Sequence, residues 1–243
     1  MRNLVSKIKK CVYPIYFEGH VIGSFFRIQT GQFVTCYHVV KNEAGLKVKI
    51  GDHYTDLKVI DSEKSLDIAI CEIPSNEINS SFDSINVGKY SDVDEGDEVF
   101  VCGFPLRSDY PVTHRGMVSA KQIISGRQGL QIDASINRGN SGGPCVIDIE
   151  GTPTVVGIIA TRLVDVDFSK LNKTIKIFNT YPDRYDDPYR RQMGGAIADL
   201  LLALAGSTGD ALNQYLNVGF GEAVSIDYVL KMIESAPSVS LGK

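Results

Sequence analysis

Gly139-Asn140-Ser141-Gly142-Gly143-Pro144 stands directly before an apolar run at 145–149. Three glycines in six residues let the backbone bend where a side chain would forbid it. A tight turn between strands accounts for the glycines but leaves the serine at their centre unexplained. A hydroxyl held on a bend where N–H groups converge accounts for both, because acyl transfer needs a nucleophile beside donors that stabilise an oxyanion. Ser141 is therefore the candidate nucleophile.

A serine hydroxyl is weak until a base takes its proton, and the chain has four histidines. His38 ends the strand-like run Phe33-Val34-Thr35 and continues as Cys36-Tyr37-His38-Val39-Val40, whereas His20, His53 and His114 stand in turn-like or polar surroundings and read as surface residues. His38 taken alone reads equally as a structural histidine, and the glycine-serine loop tips the choice. The imidazole needs an acid that fixes its tautomer. Asp67 opens the apolar run Ile68-Ala69-Ile70, so the chain enters the core directly after it; Asp61 lies in a polar string and is expected in solvent.

Around these residues the pattern is that of strands. β-Branched and aromatic runs at 12–17, 21–28, 32–35, 57–60 and 68–73 are separated by turn residues and could close one barrel. A polar connection spans 75–96. Further runs at 98–102, 116–124, 130–134, 144–149 and 154–161 could close a second. After Leu163 the rhythm changes to a polar, Tyr- and Asp-rich stretch and then helical spacing at 193–205 and 211–216, which reads as an insertion. A strand at 218–224 and a terminal helix through Ile233, capped by Ser225, complete the chain. The expected organisation is all-β: one domain with a first barrel over about 1–85, a second over about 95–162 and 217–225, a partly helical insertion over about 163–216 and a helix over about 226–236.

Composition narrows the class. The 243 residues are 43% hydrophobic and 22% charged, ordinary for a globular protein. A net charge of -4 gives no electrostatic footprint for nucleic acid, and Lys7, Lys9 and Lys10 read as a solvated N-terminal face. Ser6 to Lys10 interrupts the stretch where a signal peptide needs continuous apolar character, so a cytoplasmic protein is expected. No stretch is long enough to span a membrane. Cys11, Cys36, Cys71, Cys102 and Cys145 lack metal-ligand spacing and mostly sit in apolar runs, so buried thiols are expected, with neither disulfides nor a bound metal.

The order His38, Asp67, Ser141 resembles trypsin-like serine peptidases of the chymotrypsin fold. The resemblance is closer to the bacterial HtrA/Deg type, on residues 35–40, Asp67-Ile68-Ala69-Ile70, 132–144, Val155-Val156-Gly157-Ile158 and Gly219-Phe220-Gly221-Glu222-Ala223-Val224. It implies paired antiparallel barrels with the site between them, and an oxyanion hole from the N–H groups of Gly139 and Ser141. It implies no metal or cofactor. The pocket floor falls six residues before the nucleophile, at Ser135, with Ile136 beside it. A floor without a carboxylate disfavours Lys or Arg there, because a desolvated cation would lack a counter-charge. Small or medium aliphatic residues are expected instead, although Asp133, Asp165 or Asp167 would supply the missing charge if any reached the pocket.

Departures from the family pattern carry their own expectations. Lys243 follows soon after the terminal helix, so the peptide-binding PDZ module common in the HtrA type is expected to be absent. No Ile-Val-Gly-Gly-like segment stands upstream and Asn140 precedes the nucleophile, so activation by cleavage is not expected. Ala160 falls where many relatives place a serine that supports the aspartate. The expected partners are a protein or peptide substrate and a regulatory protein docked on the 163–216 insertion, with neither nucleic acid nor membrane. A catalytically silent scaffold and an esterase or amidase are the alternatives.

Overall fold

Val99-Phe100-Val101-Cys102 is apolar at odd and even positions alike, which requires a strand covered on both faces. In the computed structural model two covers are present. Residues 2–41, 44–50, 52–73, 82–124, 126–160 and 220–235 are described. A helix α1 (Arg2–Lys10) precedes strands β1 (Val12–Phe17), β2 (His20–Arg27) and β3 (Phe33–Thr35). A one-turn helix α2 (Tyr37–Val40) leads to β4 (Lys47–Ile50), β5 (His53–Asp56), β6 (Lys58–Glu63) and β7 (Ile68–Glu72). After β8 (Asn86–Val87) come β9 (Glu98–Gly103), β10 (Val112–Ile124), β11 (Arg127–Asp133), β12 (Pro144–Ile149), β13 (Thr152–Ala160), β14 (Phe220–Ser225) and a helix α3 (Asp227–Ser235).

The first seven strands form one curled sheet in the order β5-β4-β1-β2-β3-β7-β6. The second sheet runs β12-β9-β10-β11-β14-β13 and closes on itself because β13 also pairs with β12; β8 adds to β13 in parallel. The expected pair of antiparallel barrels is thus present. The second is closed, and β5 and β6, the edges of the first, do not pair with each other among the described residues.

Alternation of side chains, shifted by a β-bulge at Val156 in β13, divides the core. Val99, Val101, Cys145, Ile147, Val156 and Ile159 point into the second barrel, with Leu130, Ile132 and Ile136. Phe100, Cys102, Val146, Val155 and Ile158 point the other way and join the core of the first sheet, around Phe25, Phe26, Ile28 and Ile70. Strands β9, β12 and β13 are therefore buried between the two sheets, and the segments that leave them, such as 139–143, emerge where the sheets meet. α3 seals the same junction with Val229, and the Ser225 hydroxyl accepts the Asp227 N–H at 3.2 Å, as a cap does.

Several elements were not foreseen. α1 buries Leu4 and Ile8 four residues apart while its lysines stay exposed, and β4 and β5 occupy a stretch read as turn. By contacts the chain divides into Met1–Arg162 with Gly219–Lys243, and Leu163–Val218. The second unit, with the expected insertion at 163–216 and its helical segments, lies outside the described residues. Among the described residues no helix is long and apolar enough to cross a membrane.

Candidate active site

The base and the acid come from neighbouring ends of the first sheet. β3 and β7 pair through Thr35 and Ala69, so the chain leaving β3 and the turn entering β7 lie side by side. His38 sits on α2, immediately beyond β3. Asp67 ends the 64–67 turn with φ +58°, a left-handed conformation uncommon for a residue with a β-carbon. The Tyr37 N–H donates to the Asp67 carbonyl at 3.2 Å and the Asp67 N–H to the Lys64 carbonyl at 3.2 Å. The carboxylate then grips His38 twice: Oδ2 lies 2.8 Å from Nδ1, and Oδ1 accepts the His38 backbone N–H at 2.9 Å. This contact fixes Nδ1 as the protonated nitrogen and leaves Nε2 as the basic one. Burial alone would raise the Asp67 pKa. The hydrogen bond and charge of His38, its backbone N–H and the Arg127 cation outweigh that and hold the carboxyl below its ordinary range.

Ser141 arrives from the second barrel. The Ser24 N–H of β2 donates to the Ser141 carbonyl at 2.9 Å, and a β-carbon added at Gly23 would lie 2.5 Å from Val39 and 3.2 Å from the same carbonyl. Ser141 is thereby seated against the residue next to His38. The bend follows from its glycines. Gly142 has φ +82°, and a β-carbon there would stand 2.2 Å from both the Ser24 carbonyl and the Thr35 hydroxyl. Gly139 has φ +98°, with a β-carbon 2.1 Å from the Phe104 carbonyl. The Arg138 carbonyl accepts the Leu106 N–H at 2.8 Å, so the Gly139 N–H, trans in the same peptide, points away from that loop.

Ser24 is a functional residue that sequence reading missed. Fully buried, its hydroxyl donates to the Gly139 carbonyl at 2.6 Å and accepts the Phe104 N–H at 3.0 Å, while its own carbonyl accepts the Thr35 hydroxyl at 2.7 Å. A small polar residue at the centre of the run 21–28, between Ile22 and Phe25-Phe26, was the signal. Arg127 and Glu222 were also missed. They form an ion pair at 3.0 Å, each nearly buried.

Of the pocket residues, Ile136 is fully buried in the second barrel, where a β-carbon at Gly221 would meet its Cδ1 at 1.8 Å. Ser135 and Asp133 are exposed. His20 and His53 are at the surface as expected; His114 is instead half-buried on β10, and burial lowers its pKa. Cys36 lies close enough to His38 and Asp67 for the three to offer a metal ligand set. Burial first, and Asp67 second, push its thiol pKa well up, and the thiol donates to the Ile159 carbonyl at 3.2 Å. A protonated thiol committed to that bond is a poor metal ligand.

With this geometry in place, the family model for the trypsin-like peptidase domain matches residues 23–158. The chain belongs to that family. Among curated proteins it is 36% identical over 139 residues to the chloroplastic Protease Do-like 1 of Arabidopsis thaliana, covering 53% of this chain and 30% of that one. It is 33% identical over 162 residues to human Serine protease HTRA4, covering 63% and 32%. The chain spans about a third of the length of these relatives. Among solved structures, the HtrA-type protease AlgW with decapeptide superposes with a TM-score of 0.64 at 18% identity, over 96% of this chain and 66% of that one. The active form of the Rv3671c protease from M. tuberculosis superposes with a TM-score of 0.59 at 18% identity, over 95% and 82%. Both share the fold.

Proposed function

We propose that this trypsin-like domain is a serine endopeptidase of the HtrA type with His38, Asp67 and Ser141 as its catalytic triad. The observation that carries the reading is the double grip of Asp67 on His38, on the strand end against which the Ser141 loop is seated. Ser141 Oγ attacks the scissile carbonyl carbon as His38 Nε2 takes its proton. The resulting oxyanion is held by the Gly139 and Ser141 N–H groups, and Asp67 stabilises the imidazolium. His38 then gives its proton to the leaving amine, the C–N bond breaks, and water repeats the sequence to release the acid and restore Ser141. All of this is acid-base and nucleophilic chemistry.

The reading is tested by peptide cleavage. Ser141→Ala is expected to lower kcat by roughly 10⁵-fold or more while the protein stays folded. Asp67→Asn, which favours the wrong tautomer, is expected to lower it by about 10⁴. Undiminished cleavage by folded Ser141→Ala would end the reading.

For specificity, the neutral Ser135 at the expected pocket floor supports acceptance of small or aliphatic residues before the scissile bond, with basic residues disfavoured. A peptide-library profile dominated by Lys or Arg would refute this. A cytoplasmic site of action is supported by five cysteines that are all buried thiols; fractionation of the source cells tests it.

A further inference from the structure

Asp67 holds a left-handed backbone that few residues with a β-carbon adopt, and such conformations persist where the surroundings over-determine them. The peptide between Leu66 and Asp67 is clamped on both sides. Its N–H donates to the Lys64 carbonyl at 3.2 Å within the turn. Its carbonyl accepts Arg127 Nη1, a side chain from the other barrel, 61 residues away in the chain. Arg127 Nη2 in turn donates to Glu222 Oε1 at 3.0 Å.

The pair is built into the second barrel. Arg127 begins β11 and Glu222 lies on β14, where it is the cross-strand neighbour of both Gln131 and Ala160. Ala160 offers a methyl with no hydrogen-bonding group. Arg127 and Glu222 retain 9% and 6% of their side-chain exposure, so their charges act through little solvent. The charged or titratable groups facing Asp67 are His38 and Cys36 from the first sheet and Arg127 with its partner Glu222 from the second. Arg127 lowers the pKa of both Asp67 and Cys36, though less than His38 lowers that of Asp67.

We propose that Arg127, anchored by Glu222, is a positioning residue that holds the Leu66–Asp67 peptide so that the Asp67 carboxylate meets His38, and that the pair sets the electrostatic balance of the acid. The proposal rests on the triad reading above. It adds a link between the barrels: the acid of one is aligned by a salt bridge of the other. A salt bridge that served only to hold the strands together would tolerate an apolar replacement of similar volume without affecting the chemistry.

The test combines two measurements. The first is the titration of the Asp67 carboxyl carbon by ¹³C NMR in the whole chain, which needs no turnover. Arg127→Gln removes the cation and is expected to raise the midpoint by about half a unit or more; Glu222→Gln leaves the cation without this carboxylate and is expected to lower it. Shifts in the same direction, or none, would overturn the proposal. The second uses the Arg127→Met/Glu222→Leu double variant, which leaves no lone buried charge and is expected to fold with a Tm within a few degrees of the parent. Its kcat is expected to fall about tenfold or more with KM changed less than about twofold. An unchanged kcat in the folded double variant would overturn the proposal. Loss of the triad reading would appear separately, as failure of the parent protein to depend on Ser141, while the Asp67 titration would still decide whether Arg127 and Glu222 act on the acid.

Discussion

Asp67 combines an uncommon backbone conformation with a double contact to His38. Its backbone sits at φ +58° because that conformation turns the carboxylate toward the side chain and the backbone N–H of His38 together. Ser24 has the matching role for the nucleophile loop, since its one hydroxyl joins the Gly139 carbonyl to the Phe104 N–H. Ser24→Ala removes the bridge, leaving the two groups only their direct 3.4 Å hydrogen bond, and is expected to cost about 1–3 kcal/mol of stability. It is also expected to lower kcat more than it raises KM, since it loosens the loop carrying the oxyanion donors; a thermal melt and steady-state kinetics check the two halves. The base must be neutral to accept a proton, so kcat/KM is expected to fall as the pH drops far enough to protonate the imidazole. A rate flat to about pH 5 would mean that another group is the base. The contact between His38 and Asp67 was legible in the sequence, because a candidate nucleophile on a glycine bend leaves few residues able to complete a triad. Ser24, Arg127 and Glu222 were not, because their partners lie 115, 61 and 95 residues away and no periodic pattern marks a buried polar contact.

Among the elements, strands with continuous apolar runs were readable and those with one thin apolar face were not. β9, β12 and β13 are covered on both faces and announce themselves. β4 has the sequence Lys-Val-Lys-Ile, whose short alternation drowns among turn residues, and the stripe of α1 is short, Leu4 and Ile8 with Val5 beside them. β14 illustrates how closely the second barrel is packed at the candidate pocket. A β-carbon at Gly221 would lie 1.8 Å from Ile136 Cδ1 and 2.8 Å from its Cγ1, so Gly221→Ala is expected to destabilise by about 1–3 kcal/mol through overpacking. Ile136→Val removes the nearer atom. The double variant is therefore expected to recover much of the loss, a coupling read from a denaturation cycle; additive losses would mean the two residues do not share that space.

At the scale of the whole molecule, stability should respond to pH through groups that folding shifts in opposite senses. The Asp67 carboxyl titrates below its ordinary value when folded, so its contribution is present above the unfolded value of about 3.9 and is lost as pH falls through the folded one. Buried thiols act at the other end. Burial pushes Cys145 and Cys11 from 9.0 to about 12 and Cys102 to about 11. Their contribution is present below pH 9 and is lost as pH rises toward those values. The denaturation midpoint is expected to fall steadily between about pH 9 and 11, and Cys145→Ala to flatten that fall while lowering the midpoint at pH 7. An unaltered slope in the variant would contradict this account of the alkaline limb. The closure of the second barrel and the sharing of β9, β12 and β13 between two cores decide where the site forms; the barrel itself was expected from the strand runs, whereas the sharing was not, because packing against a distant sheet leaves no local trace.

The claim on which the rest depends is that His38 and Asp67 activate Ser141 as a nucleophile. Reaction of the purified protein with a fluorophosphonate, followed by mass spectrometry of its peptides, measures this directly. One adduct on Ser141 is predicted, abolished by Ser141→Ala and strongly slowed in His38→Ala and Asp67→Asn. No adduct on the folded protein, or labelling that persists at the same rate without His38, would contradict it.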